Sequence, residues 1–283
     1  KIISKPEVIG IFFAIFAYLF FSLLDTIQKT LIIYYSVFQI LFIKYFFTLF
    51  LSLVESKRKN NSKFYLTHDW KLQLLRSLLS ILESGCFILA FRYLSLADAH
   101  SIGALTPIVV VVLSFIFLRE KISLRIWFAV LIGFIGVLIV MRPGLTVFDP
   151  TSLIPLAAAF FLGLYQIVTR KVSSVDKNET SLFYAGIVGM FFMGFISFFY
   201  WKPISLDFIF MFLGVGAFYS LGVYFQIVAL SKARASIVQP FHYTLIFWSI
   251  IFGFIFYKDI PDLFTFTGAF VIIISGIYIF IKK

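Results

Sequence analysis

A carboxylate and an amine stand inside apolar runs of this chain. Glu83 lies near the middle of the apolar segment 72–94, and Lys44 near the middle of 37–54. In hydrocarbon an ionised side chain costs at least ~2.5 kcal/mol, so each needs a reason to be there. Two readings of the pair are open. Glu83 forms a structural ion pair with Lys44 or Arg76, or it meets a bound molecule or a proton. Thr48 and Ser52 follow Lys44 at i+4 spacing and make one polar stripe. Arg76 stands about one turn from its segment's end, where a long cationic side chain can snorkel to water.

A second set of polar residues follows helical spacing. Tyr18, Ser22, Asp25 and Lys29 share one face of a first helix, and Asp25 lines either a cavity or an outer rim. His242 and Tyr243 follow Pro240 by less than one turn. Proline removes a backbone donor there and frees carbonyls near a site. A histidine in such a place is a packed hydrogen-bonder or a functional group. Tyr219 is placed by internal alignment at the depth of Glu83, and Gln166 opposite Asp25. With aromatics at 20% of the chain, packing is an open reading for any one tyrosine.

Ten apolar segments must position these residues. They cover residues 8–27, 37–54, 72–94, 99–118, 126–141, 153–169, 182–200, 208–230, 235–257 and 263–281. Most approach the ~20 residues a helix needs to cross ~30 Å of hydrocarbon. Without water to pair backbone groups, helices or closed barrels are the choices, and continuous apolar runs exclude a barrel's alternation. The chain is 61% hydrophobic and 13% charged. The expected fold is an all-α integral membrane protein with ten transmembrane helices. The first segment is read as a retained helix, since it runs into Asp25 and Lys29 without a small-residue cleavage site.

The net charge of +11 has a topological explanation. Of the 24 lysines and arginines, Lys44 and Arg76 fall within segments, and Lys29, Arg92, Arg142, Lys202 and Lys258 fall on one side. The rest fall on the side of the N-terminus. This positive-inside bias predicts cytoplasmic termini. The excess charge then belongs to topology and lipid contact, not to nucleic acid.

The second five segments repeat the first five. Leu94-Ser-Leu-Ala-Asp-Ala99 resembles Leu230-Ser-Lys-Ala-Arg-Ala235, and each precedes an apolar helix with a proline, Pro107 or Pro240. Arg119-Glu120-Lys121 answers Lys258-Asp259, and Gly136 answers Gly276. The run 21–29 overlies 162–170. Because five is odd, the two halves, 1–144 and 145–283, enter the membrane from opposite sides. They are expected to be inverted about an axis in the membrane plane, with a site near the midplane.

These features together resemble the drug/metabolite transporter superfamily, its EamA-like branch most closely. The signals are the Leu-Ser-x-Ala-x-Ala repeat, Leu-x-Glu at Leu118–Glu120, and Pro240-Phe-x-Tyr243 with Trp248. Lys44 stands where many members have arginine, and Arg76-Ser77 where Arg-Gly is common. The resemblance implies secondary transport of a small organic solute, often an amino acid or related metabolite, across a bacterial cytoplasmic membrane. Glu83 and Lys44 amid tyrosines suit a zwitterion, such as an amino acid. A sulfonium metabolite such as S-adenosylmethionine, which some similar transporters import, suits them too. Protons are a candidate coupling ion through Glu83.

Other functions lack their residues. No Gly-x-x-x-x-Gly-Lys-Ser/Thr run supports ATP-driven pumping. His68, His100 and His242 are too far apart for a ligand set, so no metal or cofactor is expected. One cysteine, Cys86, permits no internal disulfide. A membrane enzyme needs a cluster of acids or histidines at one interface, and a scaffold does not need Glu83 and Lys44. Gly133-x-x-Gly136, Gly214-x-Gly216, Gly268 and Gly276 suit close helix packing or dimerisation, leaving monomer or homodimer open.

Overall fold

The computed structural model describes residues 4–93, 102–141, 150–257 and 263–278. The regular elements among these residues are all helices, with no strand. Seven helical stretches are long and apolar enough to cross a membrane: Lys5–Tyr34, Val37–Arg58, Trp70–Ala90, Pro150–Val172, Asn178–Phe199, Leu206–Lys232 and Ala235–Phe256. Three shorter apolar helices lie where the sequence predicts the fourth, fifth and tenth segments. The Leu94–Ala99 motif, His100, Arg142 and the Lys258-Asp259 pair lie outside the described residues.

We number the helices α1 (Lys5–Tyr34), α2 (Val37–Arg58), α3 (Trp70–Tyr93), α4 (Thr106–Leu118), α5 (Leu124–Met141), α6 (Leu153–Val172), α7 (Asn178–Phe199), α8 (Leu206–Lys232), α9 (Ala235–His242), α10 (Thr244–Tyr257) and α11 (Leu263–Tyr278). Several run past the apolar cores read from sequence. The N-terminal ends of α1, α2 and α3 are capped by side chains. Ser4 and Glu7 form a capping box at α1, and the Ser36 hydroxyl accepts from the Gln39 N–H at α2. The Asp69 carboxylate accepts from the N–H groups of Lys71 and Leu72 at α3.

Two expected helices are interrupted. The segment 235–257 breaks at Tyr243 into α9 and α10, one turn after Pro240 leaves the carbonyl of Ser236 without its helical donor. In the segment 99–118, a turn at Ala104 and Leu105 precedes α4, which carries Pro107 in its first turn. α4 ends at Arg119, whose φ of 52° lies in the left-handed region. That reversal directs Glu120 toward the start of α9.

α2 packs along α7, α1 along α8, α3 along α6 and α5 along α11, with α4 against α6 and α1 against α9 and α10. Glycines set the closest approaches. A Cβ at Gly186 would lie 2.5 Å from the Leu49 backbone, and one at Gly136 would lie 3.0 Å from the Gly268 carbonyl. Gly133 and Gly216 likewise admit the rings of Tyr243 and Phe47. One core cluster joins Leu31, Ile40, Tyr45, Leu182, Val215 and Ile227. Another joins Ile11, Tyr18, Ala129, Val130, Ile237 and Val238. One end of the bundle carries the loops 59–69, 119–123 and 173–177 and is the basic face.

Candidate functional site

α1, α2, α3, α6, α8, α9 and α10 enclose a central cavity of about 110 Å³. That is several times the ~10–15 Å³ a single water requires. Its charged lining residues are Asp25 from α1, Lys44 from α2 and Glu83 from α3. Tyr18, Gln28, Ser80, Ser84, Tyr165, Tyr219, Gln226 and His242 add polar groups, and Phe21 and Phe87 add rings. Glu83 stands 13 residues into α3, about 20 Å along its axis.

The three charged groups do not pair with one another. No ion pair within 4.0 Å joins Lys44 to Asp25 or Glu83. Lys44 is 3% exposed, and its ammonium sits 4.2 Å from the centroid of the Tyr219 ring. A ring face stabilises a cation by ~0.5–2 kcal/mol without satisfying its N–H donors. The Tyr219 hydroxyl meets Ser80 Oγ at 3.0 Å, and Ser80 also meets the Tyr45 hydroxyl at 3.4 Å. Glu83 accepts a bond of 2.9 Å from the Ser84 hydroxyl. Tyr18 stands edge-on to His242 with ring centroids 4.9 Å apart, and its buried hydroxyl has no hydrogen-bond partner among the described residues.

Of the candidate residues, Tyr18, Asp25, Lys44, Glu83, Tyr219 and His242 line this one cavity. Gln166 and Tyr243 are not among the lining residues. Gln166 is fully buried, and its Oε1 accepts from Gln239 Nε2 at 2.7 Å. Its neighbour Tyr165 takes the place in the cavity. The Tyr243 hydroxyl donates to the Ala104 carbonyl at 3.3 Å, tying the two helix breaks together. Thr48 bonds the Lys44 carbonyl and meets Ser220 on α8, so the stripe beyond Lys44 serves packing.

Arg76 does not snorkel. It is fully buried, with Nε donating to Gln73 Oε1 at 3.2 Å, Nη1 to the Tyr165 hydroxyl at 3.4 Å, and Nη2 to the Ser181 carbonyl. Sequence reasoning missed Gln28, Ser80, Ser84, Tyr165 and Gln226. Gln28 was accessible as the i+3 neighbour of Asp25, and Ser84 as the neighbour of Glu83.

The basic face is closed by polar contacts between distant segments. Asp176 accepts from the Thr67 hydroxyl, from the His68 N–H at 2.9 Å and from Gln73 Nε2 at 2.8 Å, and its Oδ1 lies 2.9 Å from His68 Nδ1. Burial works to raise the carboxyl's pKa, but these bonds outweigh it and hold it below the usual range. Glu179 pairs with Lys59 at 2.9 Å, and Glu7 with Arg234 at 2.7 Å. Glu120 caps α9 by accepting from the N–H groups of Ala235 and Ser236 and from the Ser236 hydroxyl. At the other end, a hollow of about 1080 Å³ is lined by the ends of α1, α2, α3 and α7, with Arg92 and Lys202 on its wall. Among the described residues no group of three His, Cys, Asp or Glu forms a metal cluster.

A bundle of apolar helices around a charged interior chamber is the architecture of a polytopic membrane transporter. The chain belongs to the EamA-like transporter family, which it matches over residues 8–142 and again over 151–281. It is 26% identical over 258 residues to an S-adenosylmethionine uptake transporter of Rickettsia conorii, covering 90% of this chain and 86% of that one. It is 27% identical over 215 residues to a riboflavin transporter of Vibrio cholerae, covering 75% and 72%. A solved crystal structure superposes with a TM-score of 0.81 at 13% identity, covering 97% of this chain and 96% of that one, a likeness of fold.

Proposed function

We propose that this transporter is a secondary active carrier moving a small zwitterionic or cationic metabolite, an amino acid or derivative, across the cytoplasmic membrane by alternating access. The observation that carries the reading is the chamber holding Asp25, Lys44 and Glu83 with no ion pair among them. Charges in a poorly solvated interior need partners, and these three have room for a guest's. An uncharged guest leaves all three unanswered. Tyr219 and Tyr18 supply ring and hydroxyl contacts, and His242 closes the wall beside the α9–α10 break.

The alternating-access part draws support from the packing. Taking 1–144 and 145–283 as inverted repeats, α6 answers α1, α7 answers α2 and α8 answers α3. The α1–α8 contact then answers α3–α6, and the α2–α7 and α5–α11 contacts each answer themselves. Both fourth segments break near a proline, and the family matches the chain twice. The basic charge supports a cytoplasmic location for the closed face and both termini. A cysteine at Asn60 should label only from the cytoplasm, and one at Thr146, which lies outside the described residues, only from outside.

A second reading is an S-adenosylmethionine-type uptake carrier or exchanger, favoured by the rickettsial relative. Protons acting at Glu83 are the proposed coupling ion. Uptake of a radiolabelled metabolite extract into proteoliposomes tests the reading. The expected result is saturable uptake and counterflow of an amine-bearing solute, and liposomes that take up nothing above protein-free controls overturn it.

A further inference from the structure

We infer that Arg76 is a positioning residue for transport: its guanidinium joins Tyr165, in the chamber wall, to the polar contacts that close the basic face, so that losing the Tyr165 hydroxyl loosens that face. The inference rests on the transport reading above and concerns how the chamber is linked to its closed end. Arg76 lies seven residues before Glu83 on α3, about two turns toward the basic face. It is fully buried, and among the described residues no carboxylate pairs with it. A guanidinium keeps its charge at any physiological pH. Neutral groups must therefore offset the cost of its burial: three hydrogen bonds, and the Tyr165 ring with its centroid 5.7 Å away.

Its three nitrogens reach three helices. Nη1 donates to the Tyr165 hydroxyl on α6 at 3.4 Å, Nη2 to the Ser181 carbonyl on α7, and Nε to Gln73 Oε1 one turn back on α3 at 3.2 Å. The Gln73 amide continues the chain. Its nitrogen donates to Asp176 Oδ2 at 2.8 Å and to Ser181 Oγ at 3.2 Å. The amide dipole is thus aligned between a cation and an anion, which strengthens both bonds. Asp176 in turn holds Thr67 and His68 from the loop 59–69. Tyr165 belongs to both sets, since it lines the chamber and accepts from Arg76. For α3, α6 and α7 to part at the basic end, these bonds must break. A guest group that takes the Tyr165 hydroxyl removes an acceptor from a buried charge. The guanidinium then gains from admitting water, and water enters where the basic face opens.

The test reads how fast a charged maleimide labels a cysteine placed at Ser77, which is 1% exposed, in purified protein carrying Cys86→Ser. Labelling of a buried thiol follows the population of the open state. Tyr165→Phe keeps the ring and removes the acceptor. It should raise the rate about tenfold, the ratio of a 1.4 kcal/mol difference. Arg76→Gln should raise it at least as much, and adding Tyr165→Phe to Arg76→Gln should change nothing further, because the two residues share one bond. Arg76→Lys should behave like Arg76→Gln, since one ammonium cannot reach the acceptors that a guanidinium meets from three nitrogens. Ser80→Ala removes a chamber hydroxyl that meets Tyr219 and Tyr45 instead of Arg76, and should leave the rate unchanged. Four results overturn the inference: an unchanged rate in Tyr165→Phe, an equal rise in Ser80→Ala, additive effects in the double variant, or wild-type labelling in Arg76→Lys. If the Arg76 variants do not fold, Tyr165→Phe against Ser80→Ala decides alone. None of these outcomes bears on the transport reading, which uptake of the metabolite extract judges separately.

Discussion

The central chamber and the basic face use the same side chains to opposite ends. On the basic face Asp176 gathers donors from Thr67, His68 and Gln73, Glu179 holds Lys59 and Asn61, and Glu120 caps α9. In the chamber Asp25 and Lys44 have no hydrogen-bond partner among the described residues, and Glu83 has its neighbour Ser84. A polar group with its partners in place holds segments together, whereas one without them costs free energy that a ligand can recover. The state of the partners, more than residue type or depth, separates structural from receptive charges here.

Lys44→Ala gives the largest expected break in this contrast. It removes the chamber's single ammonium and leaves the face contacts untouched. Transport should fall about 100-fold, about 2.7 kcal/mol in barrier, with little change in detergent melting temperature. A melting temperature that collapses with transport would return Lys44 to a structural role.

Asp176→Ala should do the reverse. Its donors on the loop 59–69 and on α3 lose their acceptor, at about 1–3 kcal/mol of stability, while the folded fraction keeps transporting. Acid sharpens the point. Because the folded carboxyl titrates below its unfolded value, its contribution is complete above the unfolded pKa of ~3.9 and disappears as pH falls through the folded value. Melting temperature recorded from pH 7 to pH 3 should therefore fall more steeply in the wild type than in Asp176→Asn, and parallel curves would remove Asp176 from the account.

Glu120→Gln is the mildest change. The amide oxygen still accepts from the N–H groups of α9, but the charge at the helix N-terminus is gone, which is worth about 0.3–1 kcal/mol. If this cap holds the basic face shut, Gln should raise the labelling rate of a cysteine placed at Ser236 and leave overall stability nearly unchanged. Unaltered labelling would make the cap a local helix terminus and nothing more.

Much was legible in the sequence, and the limit has a specific cause. Uninterrupted apolar runs admit only helices in lipid, so helical membrane architecture and family followed from composition and motifs. Lys44 and Glu83 stood out because charges in such runs are costly. Pro240 announced the break at Tyr243. Which neighbour faces inward was decided only by packing. Successive residues on a helix point roughly 100° apart, so a one-residue error turns a liner into a packer. Tyr165 lines the chamber while Gln166 bonds Gln239, and His242 lines it while Tyr243 ties Ala104. Arg76 was the same kind of case: its depth allowed snorkelling, but Tyr165 and the Ser181 carbonyl, far away in the chain, gave it partners inside. The sequence alone determined that the chain is a bundle of membrane helices carrying charges at its centre. Only the tertiary structure decided which of those charges have partners, because the partners lie on other helices, whose rotation no local pattern encodes.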